Sequence, residues 1–474
     1  MTYEFPHTEG LFWSGGDRFE TYDPAHPDQV SGRYEETRRE DLDSIFAVAH
    51  RAARIWAATP GLRRQELIET WLERIEADAD RIAQAITLEM GKTLADARGE
   101  ILHSLREARF TVADASRSIG DVMPSARVGL RNMTLRRPRG VIVASTPWNY
   151  PVLTPLRKLA PAFAHGNAVI LKPSEVSPAA ACLLAELAAD LFPHGLLQIV
   201  FGGARVGAAV TGHPAADGVT FTGSVPTGKA VYAAAAQNLA EVQLELGGKN
   251  AIIVHDSEDL DGCIDQIVAG ALENGGQRCT GISRVLVQRE LAGAVVEGIV
   301  ARMDAVRVGD GMAGDADMGP MASRAHFERV NRAIETAVAE GARRATRSSI
   351  DEPGGGFFVR PTLFADVTPS MSVAREEIFG PVLALLAYDT VDEALAMLNG
   401  VEFGLSAALY SNRNDVVQRF IREADAGMLH VNHQTSIDVN MPFVGVKHSG
   451  VGAPSIGRSA INFYTTEHAV YIKS

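Results

Sequence analysis

Residues 218–256 read GVTFTGSVPTGKAVYAAAAQNLAEVQLELGGKNAIIVHD. "GVTFTGS" is β-branched and aromatic and closes on Gly223 and Ser224, the pattern of a strand running into a turn. "PTGKAVYAAAAQNLA" opens with a proline and then carries a run of alanine, the best helix former. "NAIIVHD" is again a short apolar run of strand length. Strand, helix and strand in this order make a βαβ unit, which implies a parallel sheet and an α/β fold.

The same alternation extends outward. Upstream lie "AVILKP" (168–173, strand), "SPAAACLLAELAADLF" (177–192, helix) and "LLQIVFG" (196–202, strand). Downstream, "RVLVQ" (284–288) and helices near 291–304 and 324–340 start a second α/β run. The amino-terminal part is helical by periodicity: 41–58, then 63–92 ending at Gly91, then 94–120 ending at Gly120. "RNMTLRRPRGVIVAS" (131–145) and the last stretch, "INFYTTEHAVYIKS" (461–474), read as strand, and "DEPGGGFFV" (351–359) as a flexible loop.

Composition excludes several classes. The chain has 474 residues, 46% hydrophobic and 22% charged, with a net charge of −13. That is a globular composition without the basic face of a nucleic-acid binder. The start, "MTYEFPHTEG", lacks the charged and apolar regions of a signal peptide. The most apolar helix is interrupted by Glu186 and Asp190, so no membrane span is expected. Cys182, Cys263 and Cys279 are odd in number and irregularly spaced, which argues against a disulfide framework. Metal-ligand motifs are absent, and the expected compartment is the cytoplasm.

Five segments carry chemistry-bearing residues. "FTGSVPTG" (221–228) is a strand–turn–helix whose helix N-terminus can hold a phosphate, though its glycines are not spaced as GxGxxG. "ILKPSE" (170–175) sets Glu175 past a strand end, where an acid accepts hydrogen bonds from ribose and repels a 2′-phosphate. "STPWNYP" (145–151) offers the Asn149 amide as an oxyanion donor. "LELGGKN" (244–250) places Glu245 in apolar surroundings that suit a general base. "ENGGQRCTGIS" (273–283) puts Cys279 after a cation and a glycine pair; a nearby cation lowers a thiol's pKa from its usual value of about 8.5. Taken singly, each segment is explained as well by structure: a tight turn, a helix cap, a rigid loop, an exposed strand end, a buried inert thiol.

Their joint order resembles the aldehyde dehydrogenase superfamily over nearly the full length. "LELGGKN" followed by "GQRCT" (276–280) is the most specific part, with "LEMGK" (88–92), "EEIFGP" (376–381) and "PFVGVKHSG" (442–450) in support. The resemblance implies oxidation of an aldehyde to the acid with NAD+, or NADP+ as the alternative, Glu175 favouring NAD+. It implies Cys279 as nucleophile, Asn149 with the Cys279 N–H as oxyanion donors, Glu245 as base and Lys158 as a proton relay. It places the cofactor against Lys172, Ser174 and Glu175 on the adenosine side, with Glu377 and Phe379 at the nicotinamide ribose. Further cofactor contacts implied are Thr146, Pro147 and Trp148, then Gly203 and Gly207. Around the turn they are Phe221, Thr222, Gly223, Ser224 and Thr227, with Leu246 beyond.

The family fold implies a Rossmann-like cofactor domain (1–120 and 141–246), an α/β catalytic domain (247–441) and a small β oligomerisation element (121–140 and 456–474). The terminal strand would then pair with strands of another subunit, in a homodimer or homotetramer. Two positions depart from the family pattern: Val444 stands where a glycine is common, and Ala453–Pro454 where an Arg–Glu pair often follows "SGVG". Arg157, in "TPLRKLAP", and Arg278 match arginines of members acting on anionic aldehydes, so a small anionic semialdehyde is the expected substrate. A neutral aliphatic or aromatic aldehyde is the alternative. Glu245 argues against transfer of the acyl group to coenzyme A, and the intact Cys279, Glu245 and Asn149 against a non-catalytic binding protein.

Overall fold

The computed structural model describes residues 2–117, 120–347 and 355–473. The loop expected at 351–359 lies partly outside them. After a three-stranded sheet of Tyr3–Glu4, Arg18–Tyr22 and Val30–Glu35 come four helices: α1 (Leu42–Ala58), α2 (Gly61–Ala77), α3 (Ala79–Met90) and α4 (Leu94–Ala115). Each buries one stripe; in α1 it runs through Ile45, Phe46, Ala49, Ala52, Ala53 and Trp56. Gly91 ends α3 at φ 83°, and a Cβ there would lie 2.6 Å from Pro320. Thr93 then caps α4 by accepting the Asp96 N–H. The expectation of a helix to Gly120 is corrected: α4 stops at Ala115, its last buried residue is Val112, and Ser116 and Arg117 beyond it are exposed.

The first sheet holds β1 (Val141–Ser145), β2 (Ala168–Lys172), β3 (Leu197–Val200), β4 (Gly218–Thr222) and β5 (Glu241–Glu245). Their spatial order is β3-β2-β1-β4-β5, all parallel, with Phe12–Trp13 beyond β3. β1 and β2 are buried at every position, as strands covered on both faces must be. Beyond β5 the two-residue strand Gly450–Val451 pairs antiparallel, Glu245 opposite Gly450. The helix expected over 177–192 is shorter, Ala179–Glu186, and gives way to turns before Pro193. Helix α5 (Leu153–Ala164) follows β1, and α6 (Val225–Ala236) follows β4.

A second sheet is built from β6 (Ala251–Val254), β7 (Arg284–Gln288), β8 (Thr362–Ala365), β9 (Val382–Tyr388), β10 (Ser406–Tyr410) and β11 (Met428–Val431). Their order is β8-β9-β7-β6-β10-β11, parallel throughout, with Arg343–Arg344 antiparallel at the β8 edge. Helix α7 (Leu260–Leu272) follows β6. The ends of β5 and α7 therefore bring residues 245 and 273–279 to the seam between the two sheets.

The last strand, Thr465–Lys473, pairs antiparallel with Leu130–Pro138 of its own chain through nine residue pairs, from Thr465 opposite Pro138 to Lys473 opposite Leu130. Thr465–Lys473 is the outer strand of this sheet, and its other edge carries no strand among the described residues. Val122–Met123 adds a short third strand. No described helix is long and apolar enough to cross a membrane.

Candidate active site

Cys279 follows a turn that only glycine-rich sequence can make. Asn274, Gly275 and Gly276 lie consecutively at φ 55°, 64° and 69°. A Cβ on Gly276 would sit 2.2 Å from the Gly380 carbonyl oxygen. The turn is tied down by Gln277, whose amide donates to the Asn274 carbonyl at 3.1 Å and accepts the Ala322 N–H at 3.0 Å. Cys279 itself is half-buried against a small apolar cluster that includes Leu405 and Phe443. Burial pushes its thiol up to about 11, against the pull of Arg278 and Arg157. Cys182 and Cys263 are buried, and burial raises both thiols. Among the described residues the Cys279 N–H meets no acceptor.

Asn149 lies in the loop between β1 and α5, and its side-chain amide donates to the Gln277 carbonyl at 2.9 Å. Its backbone carbonyl accepts from Lys92 Nζ at 3.1 Å and from the Asn274 side chain at 3.0 Å. Lys92 is also paired with Glu100 at 2.6 Å, both side chains 1% exposed. The second oxygen of Glu100 accepts the N–H groups of Val152 and Leu153 at 2.8 and 2.9 Å, at the start of α5. A buried carboxylate thus fixes the Asn149 loop at both ends. Sequence reading did not single out Lys92, Glu100, Asn274 or Gln277; "LEMGK" and the residues flanking the glycine pair were the available signals.

Glu245 is the last residue of β5 and is 4% exposed. Burial raises its pKa, and Lys158 and Arg157 oppose that rise. Its Oε2 is buried with no hydrogen-bond partner among the described residues. Lys158, 1% exposed on α5, has a pKa lowered by burial and held back by Glu245. Its Nζ donates to Thr220 Oγ1 at 2.7 Å, Thr220 donates to Gln243 at 2.9 Å, and Gln243 donates to the Pro454 carbonyl at 2.9 Å. The Pro454 carbonyl ends this chain of bonds at the position where the family pattern often has a glutamate. Val444 is half-buried in the same carboxy-terminal loop.

A cavity of about 880 Å³ is lined by Cys279, Glu245 and Asn149 together. Pro147, Trp148, Thr222, Gly223, Ser224 and Leu246 form one part of its wall, and Glu377 and Phe379 another. Ser224 caps α6, accepting the Thr227 N–H at 3.4 Å and sharing a hydrogen bond with the Thr227 hydroxyl at 2.9 Å. Phe221 is buried at the end of β4, and Leu246 fills the space beside Gly228. Glu377 accepts the Gly248 N–H at 3.0 Å, burial raising its pKa. Phe379, at φ 61°, packs edge-on to Trp148 with ring centroids 5.5 Å apart.

Lys172, Ser174, Glu175, Gly203 and Gly207 gather separately, at the ends of β2 and β3. Lys172 pairs with Glu175 at 3.2 Å, a Cβ on Gly203 would lie 3.6 Å from Glu175, and one on Gly207 3.8 Å from Lys172. Ser174 accepts the Val176 N–H at 3.3 Å and caps a turn, not a helix. Thr146 Oγ1 is buried with no partner among the described residues. These features fit a dinucleotide: an orphaned hydroxyl, a carboxylate at a strand end, a helix N-terminus and glycines that leave the surface bare. Among the described residues no cluster of His, Cys, Asp and Glu could hold a metal.

Both candidate substrate arginines reach the cavity, and both are already paired. Arg157 forms a side-on pair with Glu107 at 2.7 and 2.6 Å, the two side chains 9% and 2% exposed, and covers the Phe443 ring at 4.6 Å. Arg278 pairs with Glu273 and donates to the Thr435 carbonyl at 2.9 Å.

Comparisons with known proteins agree with this geometry. A model described as "Aldehyde dehydrogenase family" matches residues 13–470. The alpha-ketoglutaric semialdehyde dehydrogenase of Bacillus subtilis (strain 168) is 34% identical, over 99% of this chain and 97% of that protein. A betaine aldehyde dehydrogenase of Cereibacter sphaeroides is 37% identical, over 95% and 92%. Among solved structures, a 3,6-anhydro-L-galactose dehydrogenase in complex with NADP superposes with a TM-score of 0.95, 30% identity and full coverage of both chains. A betaine aldehyde dehydrogenase from Staphylococcus aureus in complex with NAD+ gives 0.92 and 28%, covering 96% and 92%.

Proposed function

The chain belongs to the aldehyde dehydrogenase family, and on that premise we propose that it oxidises an aldehyde to the carboxylic acid with NAD+ or NADP+ through a covalent adduct on Cys279. The observation that carries this reading is the convergence of Cys279, Glu245 and Asn149 on one cavity.

The Cys279 thiolate adds to the carbonyl carbon, and the carbonyl oxygen becomes an oxyanion. The second N–H of the Asn149 amide, beyond the one given to Gln277, and the Cys279 N–H are the donors for that charge. When bound, NAD(P)+ supplies the two-electron acceptor that turns this adduct into a thioester. Glu245 takes the thiol proton before attack and then a proton from the water that attacks the thioester, and the acid leaves as Cys279 is regenerated. Lys158, paired electrostatically with Glu245, exchanges protons with it, and the bond to Thr220, which donates to Gln243, holds its Nζ in place. Lys172, Ser174 and Glu175 hold the adenosine side of the cofactor, α6 the phosphates, and Glu377 and Phe379 the nicotinamide end. Glu175 favours NAD+ over NADP+ by repelling a 2′-phosphate.

In the same reading residues 1–120 with 141–246 are the cofactor domain and 247–441 the catalytic domain. Residues 121–140 with 456–474 join subunits of a cytoplasmic homodimer or homotetramer. The exposed Val122, Met123, Tyr471 and Ile472 of that sheet support such a contact.

The substrate class shifts with the structure. An anionic semialdehyde was expected from Arg157 and Arg278, and the likeness to the Bacillus semialdehyde dehydrogenase favours it. The carboxylates of Glu107 and Glu273 on those arginines favour the neutral aldehyde instead. The first experiment is NADH formation across anionic and neutral aldehydes with NAD+ and NADP+, with Cys279→Ala alongside. Turnover that vanishes in the variant is the expected result. Turnover that survives it, or no turnover from a folded protein that binds cofactor, would overturn the reading.

A further inference from the structure

Four cations line the cavity around Cys279, and three of them have their own carboxylate: Lys92 with Glu100, Arg157 with Glu107, Arg278 with Glu273; the fourth, Arg329, donates to the Glu377 backbone carbonyl at 3.2 Å, at the end assigned to the nicotinamide. Asp96 adds one more acid to the same wall. At these three cations a substrate carboxylate meets no uncompensated positive charge. The three pairs are not equivalent. Lys92–Glu100 is sealed at 1% exposure, and Arg157–Glu107 is a buried two-point pair. Breaking either leaves a charge stranded out of water. Glu273 is different. Its side chain is 45% exposed while that of Arg278 is 9% exposed, and both line the cavity, so the acid is the accessible member of the pair.

Resting on the dehydrogenase reading above, we propose that Glu273 is a specificity-determining residue: it occupies Arg278 as a built-in carboxylate and so directs the site to neutral aldehydes. Its two oxygens are both engaged, one with the guanidinium and the other with the Tyr150 hydroxyl at 3.0 Å, which fixes the acid over Arg278. Tyr150 is in turn covered by Lys92, whose ammonium lies 3.9 Å from the ring centroid. The guanidinium gives one further N–H to the Thr435 carbonyl, so its orientation survives loss of the acid. Removing the charge on Glu273 leaves a positioned, uncompensated guanidinium on the residue next to the nucleophile, the group best suited to a carboxylate.

The test compares succinic semialdehyde with its methyl ester, which share the reacting aldehyde and differ in charge. The readout is the ratio of kcat/KM values, ester to acid. Wild type is expected to favour the ester. Glu273→Gln should shift the ratio toward the acid by about tenfold or more, chiefly through KM, because an unpaired cation attracts the anion. Arg278→Gln should move it the other way, since Glu273 is then unpaired. This second variant keeps the proposal testable if the first fails to fold. A wild type that favours the acid, or a ratio within about threefold of wild type in both variants, a difference of well under 1.4 kcal/mol, would overturn it. Wild-type enzyme that turns over neither compound, while binding NAD+, would remove the dehydrogenase reading and this one with it.

Discussion

Lys92 Nζ lies 3.1 Å from the backbone carbonyl of Asn149, although 57 residues separate them in sequence. This bond and the Glu100 pair fix the loop that carries the oxyanion donor, so loop geometry depends on a buried charge pair. Lys92→Met should leave Glu100 unpaired and buried and lower stability by about 3–5 kcal/mol. Urea denaturation of the purified variant measures it. Lys92→Met with Glu100→Gln should recover part of the loss, because no ion is then stranded.

Asn149→Ala removes the side-chain donor and leaves the loop's backbone ties in place. The rate should fall by about 10²–10³ in kcat, the usual effect of deleting one oxyanion donor, with little change in KM. Steady-state kinetics on any accepted aldehyde decides it. A fall in kcat/KM through KM alone would assign Asn149 to substrate binding.

Glu89 gives a pH signature independent of catalysis. It is 1% exposed, accepts from Tyr34, Thr21 and the Ala179 N–H, and burial raises its pKa from 4.5 to about 7. A carboxyl whose folded pKa is raised contributes stability that is complete below its unfolded pKa and is lost as pH rises through the folded one. Glu89→Gln mimics the protonated form. Its stability relative to wild type should therefore improve as pH rises from about 4.5 to above 7, by up to about 3 kcal/mol. Thermal or urea unfolding of both proteins at pH 5 and pH 8 measures the change.

Glu175 should set the cofactor balance. Glu175→Gln removes the repulsion toward a 2′-phosphate and frees Lys172, now paired at 3.2 Å, to meet it. The KM for NADP+ should drop by about tenfold while that for NAD+ rises modestly. Equal changes for both cofactors would place Glu175 outside the discriminating contacts.

What the sequence revealed was largely what backbone geometry forces. The glycine pair before Cys279 and the "LELGGKN" turn are legible because left-handed φ values and close approaches admit little else. The parallel strands are legible because burial on both faces makes them continuous apolar runs. The ion pairs were hidden. Glu107 stands 50 residues before Arg157, on another helix, and no local pattern couples them. The Lys158–Thr220–Gln243 chain crosses three elements in the same way. Gly450–Val451 has only two residues, too few for any periodicity. The amino-acid spelling of the site thus marked the reacting groups and left their electrostatic partners unmarked, which is why the substrate reading moved when the partners came into view.

The 2.2 Å gap between a Cβ on Gly276 and the Gly380 oxygen also limits how this enzyme can be redesigned. A library randomised across 273–283 should return glycine at 276 in every active clone, whatever aldehyde is used for selection. Variation at 273 and 278 should instead be tolerated and enriched differently by acidic and neutral substrates. Diversity for retargeting belongs at those two positions, and the turn between them is best left as it stands.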